Sequence, residues 1–155
     1  MSVFGIVWRR IGIMLFWSAW PLSWWRLHGS KRTRLFVVCG NFVVVTRRWI
    51  GDGRWSLPGG GLHRRENSLD GALRELYEET GLRIKSVKLR RHSDRIFESN
   101  GLTFNYVFFI AKVSRKYPLR VQRPELTDTA WVHKSELTAH NSSPDVLSAL
   151  HTWWG

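Results

Sequence analysis

The chain has 155 residues, 43% of them apolar, and 24 Lys plus Arg stand against 12 Asp plus Glu with a single cysteine. That length and apolar content suit one domain with a real core and exclude a disordered chain, while one cysteine excludes an internal disulfide framework. The formal net charge of +12 favours phosphate-bearing partners, namely nucleotides, nucleic acid or anionic lipid.

Residues 1–30 hold five of the ten tryptophans and no acid. Their uncharged run, Ile11 to Trp25, contains Pro21 and is short for a straight span, which needs about 20 apolar residues. The order of basic residues then apolar run fits a signal peptide, but Trp stands where a cleavage site wants small residues. Arg9 and Arg10 precede the run, and Arg26, Lys31, Arg32 and Arg34 follow it. Basic flanks and many Trp predict a segment lying in an anionic membrane interface, at the inner face of a membrane of an otherwise cytoplasmic protein. The alternative is a Trp-rich helix packed onto the domain or a second subunit.

A globular domain is expected over 31–155. RLFVVCG and NFVVVTRRWI are β-branched runs separated by Gly40-Asn41 and read as a hairpin, with Cys39 a buried strand thiol rather than a nucleophile. GDGRWSLPGGG reads as loop. Asn67 or Ser68 caps a helix over 68–80 that carries Leu69, Leu73, Leu76 and Thr80 on one face, and Gly81 stops it. SVKLRRHSDRIFES and LTFNYVFFIAKV follow as strands around Asn100-Gly101, with Phe104, Tyr106 and Phe108 on one buried face. TAWVHKSEL reads as a strand entering a turn, and a final helix over 143–153 starts at a Ser cap and an early Pro.

At about 100° per residue, Glu75, Glu78 and Glu79 fall within a sector of about 100° on the first helix. Such like charges destabilise a helix by a few tenths of a kcal/mol per pair, and a divalent cation reverses that sign. Gly71, one turn earlier, costs roughly 1 kcal/mol relative to Ala, which makes sense if something approaches the helix closely. A solvated acidic face paired with arginines is the other reading, and spacing alone does not choose.

The pattern Gly60, five residues, Glu66, seven residues, then RELYEETGL from Arg74 to Leu82 resembles the Nudix box at every fixed position. The resemblance covers 55–82 at motif level, and the element order from Thr33 onward is similar to the family's. It implies an α/β fold, the Nudix α/β/α sandwich, in which a mixed sheet carries the 68–80 helix on one side and the 143–153 helix on the other. It also implies hydrolysis of a nucleoside diphosphate linked to another moiety, with Mg²⁺ or Mn²⁺. By motif position Glu75, Glu78 and Glu79 are the expected metal ligands, with the Gly60 carbonyl an additional one. Arg74 is expected to orient a box glutamate with Glu66 as its partner. The general base varies in the family; Glu75 is the first candidate and Glu98, before a turn between strands, the second.

Arg65 stands where the family commonly has Gly, and HRRE makes that loop basic: Arg64 offers either a phosphate contact or plain surface charge. His63 has no companion at zinc spacing. The proline that accompanies ADP-ribose specificity, the Tyr of dinucleoside polyphosphate enzymes and the coenzyme A and NADH signatures are absent. Arg47, Arg48 and Trp49 end a strand near the glycine loop, where they offer charge to phosphates and a ring to a base, or simply finish the strand. Two other classes stay open: a nucleotide or RNA sensor without turnover, against which the complete set of glutamates argues, and a membrane-recruited hydrolase of a lipid-linked diphosphate. The basic charge also permits RNA end-processing.

Overall fold

The hairpin forms as expected, with β1 (Lys31–Cys39) and β2 (Phe42–Arg48) joined through Gly40 at a positive φ of 55°. A computed structural model describes residues 30–49, 52–85, 89–99, 102–121 and 126–153. The Trp-rich segment before Ser30 and the turn at Asn100-Gly101 lie outside the described residues. Among the described residues, no helix is long and apolar enough to cross a membrane.

After the hairpin come β3 (Trp55–Ser56), α1 (Ser68–Thr80), β4 (Leu89–Ser99), β5 (Leu102–Lys112), β6 (Leu126–His133), a 3₁₀ turn (Lys134–Glu136) and α2 (Pro144–Trp153). β3 is a correction to the loop expected over GDGRWSLPGGG: two residues of it pair with Thr46 and Arg47. The strand expected at TAWVHKSEL begins earlier, at Leu126, because β6 follows β2 along its whole length.

The sheet order is β3-β2-β1-β5-β4 with β6 on β2. β1 and β5 run parallel from the pair Lys31–Asn105 to the pair Val38–Lys112, while the other ladders are antiparallel, so the sheet is mixed. One edge of β2 belongs to β6. Along the other edge it meets β1 only at Val43 and Phe42, then β3 at its far end. The hairpin strands therefore splay, and the glycine-rich segment enters the gap beside β1. There the Thr33 N–H donates to the Gly60 carbonyl at 2.9 Å and the Leu35 N–H to the Pro58 carbonyl at 2.9 Å. Backbone groups that the splay would orphan are satisfied this way, and the loop becomes part of the sheet.

Strand alternation sends successive side chains to opposite faces, and each face has its own core. Phe36, Val38, Val43, Val45, Phe104 and Phe108 pack with Val146 and Ala149 of α2. Leu35, Val37, Val44, Val107 and Phe109 pack with Ala72 and Leu76 of α1. The sandwich is the expected one, and Phe104, Tyr106 and Phe108 are buried core residues.

Two local expectations are revised. Cys39 is half-buried, because β1 ends on it. Leu73 is only half-buried and joins neither core; Leu69, Ala72 and Leu76 make the apolar stripe instead. The rotation also turns Glu75 and Glu79 inward.

Candidate active site

Asn67 starts α1 by accepting the Asp70 N–H at 2.9 Å, and Gly81 ends it at φ 74° by donating to the Tyr77 carbonyl. Between these caps the helix presents its glutamates to the glycine loop held against β1. Glu79 is fully buried and Glu75 is 3% exposed, whereas Glu78 is half-exposed. Something other than a solvated acidic face is therefore built here, since an unpaired buried carboxylate is costly.

Arg74 supplies most of the compensation. Its Nε donates to Glu66 Oε1 at 2.8 Å, and its Nη2 to Glu66 Oε2 at 2.9 Å and to the Gly61 carbonyl at 3.0 Å. Its Nη1 lies between two box glutamates, 2.8 Å from Glu75 Oε1 and 3.0 Å from Glu78 Oε2. The expected pairing of Arg74 with Glu66 is thus a two-point fork of the kind that fixes both partners. Hydrogen bonds from Arg74 hold the Glu66 carboxyl down at about 2, with the His63 N–H adding to the effect against desolvation. Hydrogen bonds to Glu66, and after it Glu75, raise the Arg74 pKa above the usual arginine range against the opposing effect of burial.

A stability consequence follows. A carboxyl depressed in the fold contributes stability above its unfolded value of about 4.5 and loses it as pH falls towards about 2. Glu66→Gln should destabilise the protein at pH 7 by roughly 1–3 kcal/mol, the range for a charge-assisted hydrogen bond. Urea denaturation of both proteins should show that gap closing as pH drops through this window; a gap independent of pH would refute the role of the charge.

Glu79 is held differently. Arg48 Nη2 donates to its Oε1 at 2.9 Å and the Gly59 N–H to its Oε2 at 2.8 Å. Burial nevertheless pushes its carboxyl up to about 7 against the pull of Arg48 and the Gly59 amide. Gly60 meets Glu75: a Cβ at this position would stand 2.7 Å from its carboxyl carbon and both oxygens. What crowds Gly71 is the chain itself, since a Cβ there would meet the Leu62 side chain at 2.3 Å and the Glu66 carboxylate at 3.1 Å. Arg65 adopts φ 66°, the left-handed region where the family commonly places Gly, at roughly 1–2 kcal/mol of strain.

The donor set suits a hard divalent cation in its chemistry. Carboxylate oxygens are its preferred ligands, and Glu75 and Glu78 already converge on one positive group, the Arg74 Nη1. Among the described residues, no three acidic, His or Cys side chains form a ready metal cluster, since Glu79 is turned to Arg48 and Gly59. One lone pair of the Gly60 carbonyl is taken by the Thr33 N–H.

The remaining candidates are dispersed. Arg48 is held by Glu79 and the Gly59 carbonyl. Arg47 stacks 4.0 Å over Trp55, Trp49 is half-buried beyond it, and Arg64 is exposed. Glu98 stands in β4 opposite Thr103, and its side chain lies outside the described residues.

Two arginines that the sequence places in the basic flank of the N-terminal run lie instead inside β1. Arg34 is buried and ion-paired with Asp145 at 2.9 Å. Arg32 stacks 4.0 Å over Phe104, beside the loop at Gly61, and among the described residues no carboxylate lies in ion-pair range of it. Burial pulls its pKa down, and Arg34 and Arg48 add to that against Tyr106. The only signal in the sequence was the alternation of arginines in KRTRLF, which puts both on the face of Phe36.

Comparison with known proteins places these features. The NUDIX domain model matches residues 29–150. The RNA pyrophosphohydrolase of Bartonella tribocorum is 54% identical over 44 residues, which are 28% of this chain and 24% of that protein. The RNA pyrophosphohydrolase of Bartonella quintana is 59% identical over 39 residues, 24% of this chain and 22% of that protein. The chain thus spans about a quarter of the length of these relatives. Among solved structures, the NUDIX domain of Shewanella oneidensis NrtR, a complex with ADP ribose, aligns with TM-score 0.68 and 18% identity over 79% of this chain and 84% of that one. A C. elegans Ap4A hydrolase aligns with TM-score 0.65 and 16% identity over 79% and 93%. At such identities these two structures speak for the fold alone.

Proposed function

The chain belongs to the Nudix family, and from that premise we propose that it is a divalent-metal-dependent pyrophosphohydrolase of nucleoside diphosphate-linked substrates. The observation that carries this reading is the burial of Glu75 and Glu79 against a glycine loop shaped around their carboxylates. A binding-only module has no use for two carboxylates kept out of water at such cost.

Glu75, Glu78 and Glu79 would hold Mg²⁺ or Mn²⁺, with the Gly60 carbonyl able to add its second lone pair. When bound, the cation neutralises phosphate oxygens and acidifies the attacking water. The chain's own residues do the rest. Glu75 accepts the proton as water attacks phosphorus, and the P–O bond of the anhydride breaks to leave two phosphate-bearing products. Glu66 fixes Arg74, and Arg74 keeps Glu75 and Glu78 in register, with Glu98 the second candidate base.

Arg32 would take a phosphate beyond the scissile bond, because Arg34 and Arg48 each have a carboxylate and, among the described residues, Arg32 has none. Arg32→Gln should raise KM about 10- to 100-fold with kcat little changed, as expected for losing roughly 1.5–3 kcal/mol of charge-assisted binding. Steady-state kinetics check this, and a loss confined to kcat would refute it. Arg47, Trp49 and Arg64 are further contacts in this reading, and Arg48 acts through Glu79.

A 5′-pyrophosphorylated RNA is the second reading of the substrate. It is supported by the RNA pyrophosphohydrolases matched and by the +12 charge. Incubation of the full chain with Mg²⁺, ¹⁸O-labelled water and a panel of nucleotides, sugar nucleotides and capped or triphosphorylated RNA tests both. Mass spectrometry should find ¹⁸O in one phosphate product. Tight binding of a panel member without turnover would instead establish a sensor.

A further inference from the structure

Asp145 stands in the first turn of α2, on the opposite face of the sheet from the box helix, and is buried. Its Oδ2 accepts from Arg34 Nε at 2.9 Å and from the Leu57 N–H at 3.2 Å. Its Oδ1 accepts the Val146 N–H and the Ser143 hydroxyl. Arg34 is buried in turn, with its guanidinium 4.6 Å over the Tyr106 ring. Its Nη1 donates to the Gly59 carbonyl at 2.7 Å and the Thr33 carbonyl at 3.3 Å, and its Nη2 to the Tyr106 hydroxyl at 3.3 Å.

Gly59 is thereby held at both ends. Its carbonyl is pulled by Arg34 and, at 3.3 Å, by Arg48, while its N–H donates to Glu79 Oε2 at 2.8 Å. An unbroken run of hydrogen bonds joins Asp145 to Glu79 through Arg34 and this one residue. A buried ion pair gives little net stability against a well-packed apolar alternative. It does fix geometry, and what it fixes here is the amide that aims a box carboxylate.

We propose that Arg34 and Asp145 are positioning residues, which set the orientation of Glu79 through the Gly59 backbone and so tune the affinity of the box for its divalent cation. This rests on the metal reading given above. Outer partners of metal ligands are worth about 10- to 100-fold in metal affinity.

The test uses the full chain and Mn²⁺ alone, with no substrate, followed by calorimetry. Asp145→Asn keeps size and a carbonyl acceptor but loses the charge, and should weaken Mn²⁺ binding about tenfold. Arg34→Lys keeps the charge but not the fork that reaches Asp145 and Gly59 together, and should do the same; it carries the test if Asp145→Asn does not fold. In a Glu79→Gln background either change should have less than about a twofold further effect, since the run then ends on a group already lost. A loss of equal size in both backgrounds would show general destabilisation and overturn the proposal. Parental Mn²⁺ affinity in folded Asp145→Asn or Arg34→Lys, with Glu79→Gln weakened, overturns the positioning alone. Unchanged affinity in Glu79→Gln takes down the metal reading and the positioning with it.

Discussion

Glu79→Gln should lower kcat by on the order of a thousandfold while the protein stays folded. If Glu79 holds the proposed cation, its loss would remove several kcal/mol of charge stabilisation in the transition state, and each 1.4 kcal/mol is about a factor of ten in rate. The fold should tolerate the change, because burial holds the Glu79 carboxyl up at about 7 in spite of Arg48 and the Gly59 amide. For a carboxyl whose folded value exceeds its unfolded value of about 4.5, the native state binds the proton more tightly. The metal-free protein therefore loses stability as pH rises from about 4.5 to about 7, and above that the full cost of the buried charge is present. Above pH 7 in metal-free buffer, Glu79→Gln should be at least as stable as its parent, and the difference should narrow towards pH 4.5. Single-turnover kinetics and denaturant unfolding read the two halves separately. Retained turnover would sink the site assignment; a variant far less stable than its parent at pH 8 would sink the electrostatic account. This trade of stability for activity is common where a site holds a group in an environment that does not favour it.

The second large effect separates two adjacent glycines. Gly59 has φ 141°, and a Cβ there would lie 2.1 Å from the Thr33 carbonyl oxygen and 2.9 Å from its carbon. Those are backbone atoms of a central strand and cannot move aside. Gly59→Ala should cost about 3 kcal/mol or more of stability, from backbone strain and overpacking together. The nearest atoms a Cβ on Gly60 would meet are those of the Glu75 carboxylate, the end of a side chain that can shift where a strand backbone cannot. Gly60→Ala should therefore fold, with Glu75 displaced and turnover lower by about a hundredfold, the cost of roughly 1 Å of misplacement at a reacting centre. Thermal melting and kcat together check this pair. A folded, active Gly60→Ala would show that Glu75 does not need the position it occupies, and an unaltered melting temperature in Gly59→Ala would contradict the wedge between β1 and β2.

Much of this protein is local, and what is local was legible. The period-two runs around Gly40-Asn41 became a hairpin because alternation already assigns each residue to a face. Asn67 and Gly81 bound the helix where their side chain and left-handed backbone satisfy its ends. The fixed spacing from Gly60 to Leu82 named the family, and the resemblance it carries nominated Glu66 as the partner of Arg74, a pairing the structure contains.

What failed to show in the sequence depends on separations that no local pattern encodes. Arg32 and Arg34 looked like the trailing charges of an apolar segment; only the parallel pairing of β1 with β5 lays them on Phe104 and Tyr106. Two residues of β3, and a loop that became part of the sheet, follow from the splay between β1 and β2, which is set by β6 arriving from far down the chain. By itself, then, the sequence determined the hairpin, the two helices and the β4 and β5 strands, and which acids gather on one helix face, because those follow from backbone periodicity and capping. The tertiary structure alone decided which of those acids are buried and that Arg48 answers Glu79, just as it paired Arg34 with Asp145 from 111 residues away. Burial and charge pairing are properties of the space between elements, and that space exists only once the sheet has closed around the glycine loop.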